Sequence, residues 1–455
     1  MDNKRTKLLG SVPITKALIT LSLPATIAML INALYNVVDT IFVGKYVGDL
    51  GIAGLTIAFP IQMLILGIAA MFGMGSASII SRQLGAKKYL DANKTLSTMI
   101  FFNFIVIFIL SVIGLVFMKP ILNLFGASPT SYKFAFEYMK IIYIGFVFFA
   151  FGVAVNNTVR AEGRSFISMI SMIAGAVLNI ALDFIFMGLL NMGIEGAAIA
   201  TVTSQIVSAL ILLYALVSKK SILKFSIKEI DFRVKTLSAI ILIGISAFFI
   251  QAGASLLAAI LNNSLEKYGG DTAVATYGII NKIISLLILP IIGIRQGAQP
   301  IIGYNFGSRN YKRTLDTIKI SLLFMLIYGV LSYLIVMIFT PNVMKLFGGS
   351  KELLLLGIPA LRITVFAIFL ESIEIITSSI YQSKGQALPA FFTSVIRRFF
   401  LLIPLVLILP LSTNLGLTAL WISFPIADIV TFLICLVLFI KSLKNIKKLE
   451  IENEK

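Results

Sequence analysis

Two aspartates stand out because they sit where charge is expensive. Asp39 lies deep in a long apolar stretch, and Asn32, Tyr35, Asn36 and Asp39 recur at the three- and four-residue spacing that puts them on one face of a helix. Asn179 and Asp183 are four residues apart in a second apolar stretch, so their side chains point the same way. Two carboxylates sharing a low-dielectric cavity cannot both stay ionised cheaply. Such a pair takes up a proton or holds Na⁺ through its oxygens, and either event neutralises charge and alters how the two helices pack. Glu371 and Glu374, three apart with Ser378 on the same face, form a second acidic stripe. It would attract cationic amphiphiles, with Phe366, Phe369 and Tyr381 adding cation–π contacts. The competing reading pairs these acids with Lys282, Arg295 or Arg362, and Asp428 with the Arg397–Arg398 pair.

Other chemistry is excluded by composition. There is no histidine and one cysteine, so no disulfide forms within the chain and imidazole or thiolate metal sites are not available. No Asp-x-x-Asp or Asp-Asp pair exists to hold Mg²⁺ and a diphosphate. Catalysis and a resident cofactor are therefore not expected. Cys435, in the run ICLVLFI, reads as a small core residue.

The elements that must position these acids cross a membrane. Of 455 residues, 58% are hydrophobic and 13% charged, against about 25% charged in a soluble domain, and mean hydropathy is +1.00. The predicted fold is all-α and integral to the membrane. Long apolar runs near 17–43, 52–76, 95–118, 135–158, 166–189, 194–217, 236–261, 272–300, 315–340, 354–380, 388–411 and 414–441 give about twelve transmembrane helices. With both termini on the cytoplasmic side, 28 of the 38 Lys and Arg face the cytoplasm, 7 face outward and 3 (Lys282, Arg295 and Arg362) lie within spans. This asymmetry predicts N-in and C-in in the cell membrane. The basic pairs Lys87–Lys88, Lys219–Lys220 and Lys447–Lys448 then meet anionic lipid headgroups, not nucleic acid.

A shift of 222 residues superposes the two halves. Gly75-Ser-Ala-Ser-Ile-Ile-Ser-Arg-Gln-Leu-Gly85 falls on Gly297-Ala-Gln-Pro-Ile-Ile-Gly-Tyr-Asn-Phe-Gly307, Tyr46-Val-Gly48-Asp49 on Tyr268-Gly-Gly270-Asp271, Phe125-Gly126 on Phe347-Gly348, and Gly163 on Gly385. A shift across six spans preserves orientation, so the repeats are parallel, two six-helix lobes around a central cleft suited to alternating access. The division is residues 1–217 (N-lobe), 218–235 (cytoplasmic linker), 236–441 (C-lobe) and 442–455 (cytoplasmic tail). Asp39 falls on Leu261 and Asp183 on Leu405, so ion coupling is expected in the N-lobe alone.

Tyr35-Asn-Val-Val-Asp39-Thr-Ile-Phe-Val-Gly44 resembles the opening motif of the multidrug and toxic compound extrusion (MATE) family. Gly293-Ile-Arg-Gln-Gly-Ala-Gln-Pro300 with Ile-Ile-Gly-Tyr-Asn-Phe-Gly307 is similar to the eighth-helix signature of its MepA-like branch, and Tyr381-Gln-Ser-Lys-Gly-Gln-Ala-Leu-Pro389 to its loop after helix 10. The resemblance runs from about residue 12 to 440. It implies a monomeric multidrug efflux antiporter that exchanges small amphipathic, mostly cationic compounds for H⁺ or Na⁺. The Asn179-x-x-x-Asp183 spacing resembles the cation site of DinF-like members, which carries over to Asp39, Asn179, Asp183 and Thr201, with Tyr35 and Asn36 beside them and Na⁺ possible at Asp39 and Asp183. Glu371, Glu374, Gln251 and Asn157 are expected in the substrate cleft. Other branches keep an acid in helix 7, where this chain has Gln251. A flippase for lipid-linked oligosaccharides, from the wider related group, is the alternative, with Lys282, Arg295 and Arg362 as its cationic cavity.

Topology is testable directly. In a Cys435→Ser background, a cysteine at Lys133 should react with a membrane-impermeant maleimide on intact cells and one at Lys220 should not. The reverse pattern would contradict the charge asymmetry.

Overall fold

A computed structural model describes residues 4–346 and 351–454, and every regular element among them is helical. The first half comprises α1 (Lys4–Gly10), α2 (Ile14–Tyr46), α3 (Asp49–Gly85), α4 (Tyr89–Val116), the short α5 (Met118–Leu124), α6 (Tyr132–Ala161), α7 (Ser165–Asp183) and α8 (Gly193–Val217). The second half comprises α9 (Val234–Gly307), α10 (Tyr311–Leu346), α11 (Lys351–Thr364), α12 (Glu371–Lys384), α13 (Ala387–Val395), α14 (Ile403–Ser412) and α15 (Leu417–Glu454). Eleven helical stretches among the described residues are long and apolar enough to span a bilayer. One of them, α9, has 74 residues, about 110 Å if continuous against a hydrocarbon core of about 30 Å. Gly270 breaks it, with φ 63° and ψ −167°, so α9 is two spans joined by a tight turn, which makes twelve spans among the described residues.

The repeat is visible in the backbone. Gly48, between α2 and α3, has φ 87° and ψ −170°, the same conformation as Gly270, and only glycine adopts it without strain. Lys87 (φ 60°) matches Arg309 (φ 59°), and Gly163 (φ 83°) matches Gly385 (φ 76°). All three pairs are 222 apart. The Phe347-Gly348 counterpart of Phe125-Gly126 lies outside the described residues.

Four apolar clusters show how the halves meet. Away from the termini the core divides cleanly: one cluster runs from Val43 to Ala198 in the first half, another from Leu257 to Ala427 in the second. Near the termini both remaining clusters are mixed. Leu9, Leu18 and Leu21 pack with Ile291, Ile301, Ile318 and Ile376, and Phe72, Ile80 and Leu84 pack with Ile240 and Tyr304. The lobes are therefore joined on the face that carries both termini and separate on the opposite face, where the cleft opens.

At that joint α3 and α9 cross at backbone contact. A Cβ on Gly75 would run into the Ile240 carbonyl and one on Gly244 into that of Met71; ten residues further along α3, Gly85 abuts Tyr304 and Gly307 abuts Arg82, on the second span of α9. Close helix approach through small residues replaces the hydrophobic drive that lipid does not supply.

The segment between the halves is strapped to the first. The buried Glu162 carboxylate accepts from the backbone N–H of Ile222, from that of Leu223 at 3.4 Å and from Ser221 Oγ at 3.1 Å. Backbone N–H groups of Lys224, Ser226 and Asp231 donate to Asn93 Oδ1, Ser97 Oγ and Thr98 Oγ1 at 2.8, 3.1 and 2.9 Å, all on α4. Hydrogen bonds from the Arg233 guanidinium and the Thr236 hydroxyl hold the Asp231 carboxyl well below the usual carboxylate range, at the start of α9. The α3–α9 crossing yields a stability prediction. Gly244→Val should cost about 1–3 kcal/mol of stability by overpacking, read as a lower unfolding midpoint in detergent, while Gly278→Ala, which meets nothing within 4 Å, should leave the midpoint unchanged.

Candidate functional site

The first-half site is assembled from α2, α6, α7 and α8. Asp183 is the last residue of α7, fully buried, and a π-helical turn, Phe184–Leu189, follows it directly. Such turns widen a helix locally and recur at functional positions. The Asp39 side chain lies within reach of Asp183, and the Asp183 Oδ1 and Asp39 Oδ1 atoms are buried with no hydrogen-bond partner. Two carboxyl groups this close hydrogen-bond only when one of them carries a proton. With its nitrogen toward the carboxylate, the Asn179 amide donates to Asp183 Oδ2 at 3.2 Å and accepts from the Thr201 backbone N–H at 3.3 Å; turned over, it donates to Thr201 Oγ1 at 3.4 Å. Tyr35 lies within electrostatic reach of both acids.

The structure thus brings Tyr35, Asp39, Asn179, Asp183 and Thr201 together. Asn36 sits at their edge: its residue is exposed, its side chain is within hydrogen-bonding reach of Tyr35, and its amide donates to the Asn32 carbonyl at 2.7 Å. Tyr138, whose hydroxyl is within reach of Gln62 and Thr201, was not foreseen, because three separate helices bring these residues together and no spacing along the chain announces them. No group of three or more His, Cys, Asp and Glu that could hold a metal ion occurs among the described residues. A cation here would therefore have two carboxylates plus the neutral oxygens of Asn179 and Thr201 as its donor set. Among the described residues the second half has no comparable pair at the equivalent positions. Leu261 is fully buried in its core and Leu405 packs against the same cluster.

The second-half acids have a different fate. Glu371 Oε1 lies 2.8 Å from Arg397 Nη2, and Arg397 Nε donates to Asp428 Oδ1 at 2.5 Å. Glu371 and Asp428 therefore neutralise Arg397, not Lys282, Arg295 or Arg362. Lys282 is exposed, and Arg362 donates to Thr340 Oγ1 at 3.2 Å. Arg397 and Arg398 sit in a second π-helical segment, Ile396–Leu402, within a span and not in a loop. The basic asymmetry between the two faces survives their removal from the count. The expected aromatics also turn elsewhere. Phe366 and Phe369 pack on Tyr333, and the Tyr381 hydroxyl donates to the Leu438 carbonyl at 3.0 Å.

Between the lobes lies a cavity of about 480 Å³. Tyr35, Asn179 and Thr201 face it from the first half, and Gln251, Glu371 and Glu374 from the second; Asn157 lines it too, holding Arg160 Nη2 at 2.9 Å. Arg160, Arg295, Arg397 and Arg398 also line it. Arg160 was placed at the cytoplasmic edge by sequence, although the Asn156-Asn157-x-x-Arg160 spacing, three and four residues back on a helix, is a legible polar cluster.

Comparison with known proteins places this architecture. The MatE family profile matches residues 24–185 and again 245–408, once per half. The chain belongs to the MatE family. It is 28% identical over 433 residues to the multidrug export protein MepA of Staphylococcus haemolyticus (strain JCSC1435), covering 95% of this chain and 94% of that one. Among solved structures, a multidrug resistance MATE family transporter in an outward-facing conformation superposes with a TM-score of 0.91 at 26% identity, over 98% of this chain and 99% of that chain. The MATE multidrug transporter DinF-BH, solved in complex with a ligand, superposes with a TM-score of 0.88 at 36% identity, over 97% and 98%. MatE members are transporters, and the twofold profile match coincides with the 222-residue repeat.

The buried ion triad makes a sharp stability prediction. Arg397→Leu leaves Glu371 and Asp428 uncompensated and should cost about 3–5 kcal/mol. Glu371→Gln, which leaves the Arg397–Asp428 pair intact, should cost clearly less. Thermal unfolding of the purified variants orders the two.

Proposed function

We propose that this protein is a secondary active multidrug efflux antiporter that exports small amphipathic, mostly cationic compounds in exchange for H⁺ or Na⁺. The observation that carries the coupling half of this reading is the buried Asp39–Asp183 pair, which needs a proton or a metal cation to be stable. In the exchange, the cation enters from the open face of the cleft and neutralises the pair. Asp39 is on α2 and Asp183 ends α7, so neutralisation changes how these two helices pack. The other end of α2 packs at the lobe joint through Leu18 and Leu21, which gives the change a mechanical route to the opposite face. Glu374 supports cationic cargo: it lines the cleft and, unlike Glu371, makes no ion pair within 4 Å among the described residues. Names of relatives favour drug export over lipid flipping.

No covalent chemistry is assigned to any residue. The boundaries 1–217, 218–235, 236–441 and 442–455 are the working division, and the protein acts as a monomer in the cell membrane with both termini in the cytoplasm. In that orientation the cleft opens outward, as expected of a state awaiting its coupling ion.

Proteoliposomes loaded with a cationic dye such as ethidium test the mechanism. Efflux should require an imposed proton or Na⁺ gradient, and the gradient that drives it names the ion. Asp39→Asn and Asp183→Asn should each insert normally, still bind dye, and lose gradient-driven transport. Undiminished gradient-driven transport by the double variant would refute the coupling site.

A further inference from the structure

The charge balance of the cleft is not what its acids suggest. Once Glu371 and Asp428 are committed to Arg397, that triad keeps one net negative charge at Arg397, and elsewhere the cleft holds Arg160, Arg295 and Arg398 against Glu374. Arg398 Nη1 donates to the Ile250 carbonyl at 3.0 Å. Arg160 and Arg295 have less. Arg160, only 8% exposed, donates to Asn156 Oδ1, to Ser168 Oγ at 3.3 Å and to Asn157 Oδ1 at 2.9 Å, all neutral acceptors. The neighbouring acid, Glu162, faces away and is occupied by the linker and by Arg164 at 3.6 Å. Arg295 reaches only the Met74 sulfur, at 3.8 Å, and its buried Nε has no partner. Neither arginine makes an ion pair within 4 Å among the described residues.

The two guanidinium groups belong to one place. Asn157, which holds Arg160, packs its amide against Gly73 of α3, and the adjacent Met74 is the residue Arg295 touches. Arg295 lies within electrostatic reach of Arg160, and Glu374 within electrostatic reach of Arg295. One arginine comes from α6 of the first lobe and the other from α9 of the second. A planar guanidinium offers a paired fork of donors that matches a carboxylate, sulfonate or phosphate, and two buried without a counter-ion are costly until one arrives. Met29, Leu66, Phe148, Met172 and Ile292 supply an apolar wall beside them.

We propose that Arg160 and Arg295 form a subsite of the cleft for the anionic headgroup (carboxylate, sulfonate or phosphate) of an amphiphilic cargo. The subsite rests on the reading of this cleft as the cargo site and extends its cargo beyond cations. Because each lobe contributes one guanidinium, the anion bridges the halves and is held in the arrangement of lobes seen here.

Dansylglycine, an amphiphilic carboxylate, and its methyl ester test this with purified protein in maltoside detergent and no gradient, so that failure here leaves export standing. Wild-type protein should bind the acid more tightly than the uncharged ester. Arg160→Gln and Arg295→Gln should each lower the acid-to-ester affinity ratio about tenfold or more, the loss of one charged hydrogen-bonding partner, and Arg295→Lys should restore part of it. If either variant does not elute as a single species, the wild-type acid-to-ester comparison decides alone. Equal affinity for acid and ester, or a ratio that neither Gln variant changes, overturns the proposal. Adding phosphatidylglycerol distinguishes the sources of the headgroup. Displacement of dansylglycine by it, abolished in both Gln variants, assigns the subsite to lipid, and absence of displacement assigns it to soluble amphiphilic acids; either upholds an anion subsite.

Discussion

Everything in this molecule hangs on the crossing of α3 over α9. In a bilayer, apolar surface gains little by leaving lipid, so helices adhere through close packing. Gly75 against Ile240, Gly244 against Met71, Gly85 against Tyr304 and Gly307 against Arg82 bring two backbones together on the face of the termini. Among the described residues no glycine brings the two halves into such backbone contact on the other face, and the apolar clusters there stay within their own halves. One tight seam at one end of two parallel lobes leaves a cleft at the other. The cavity exists because the seam is confined.

The seam is symmetric in outline, but the chemistry beside it is not. The first half keeps two aspartates within reach of each other and spends Asn179 and Thr201 on holding one of them. The second half fills the equivalent positions with leucine and pairs two of its acids with one arginine in the triad Glu371–Arg397–Asp428. Acids held by a buried arginine are partly compensated, whereas a carboxylate pair with no cationic partner is not. Both sites adjoin a π-helical turn, where the widened backbone can present a polar side chain that a regular helix would direct elsewhere. The division leaves a carboxylate pair without a cationic partner in one lobe and an ion-paired triad in the other.

The strap between the halves belongs to the first. Glu162 and the Asn93, Ser97 and Thr98 side chains tie up its backbone N–H groups, so the segment is an extension of the first lobe and not a loose tether. Within the cleft, a lone Glu374 and two arginines without counter-ions present both signs of charge to one ligand beside apolar walls. Selectivity in such a site comes from where each charge sits, not from net polarity.

The sequence by itself determined a great deal here, and for physical reasons. Twelve apolar runs follow from bilayer thickness, the 222-residue repeat from recurring glycines whose backbone angles now coincide, and the aspartate pair from the cost of charge at membrane depth. These are local or periodic constraints, and a chain cannot hide them. Tertiary structure alone decided who partners whom. Glu371 and Glu374 look alike three residues apart, yet one is bound to Arg397 and the other faces the cavity. Arg160 reads as a loop residue and proves to line the cleft. Charge compensation depends on distances of a few ångströms between helices far apart in the chain, and hydropathy carries no record of those distances.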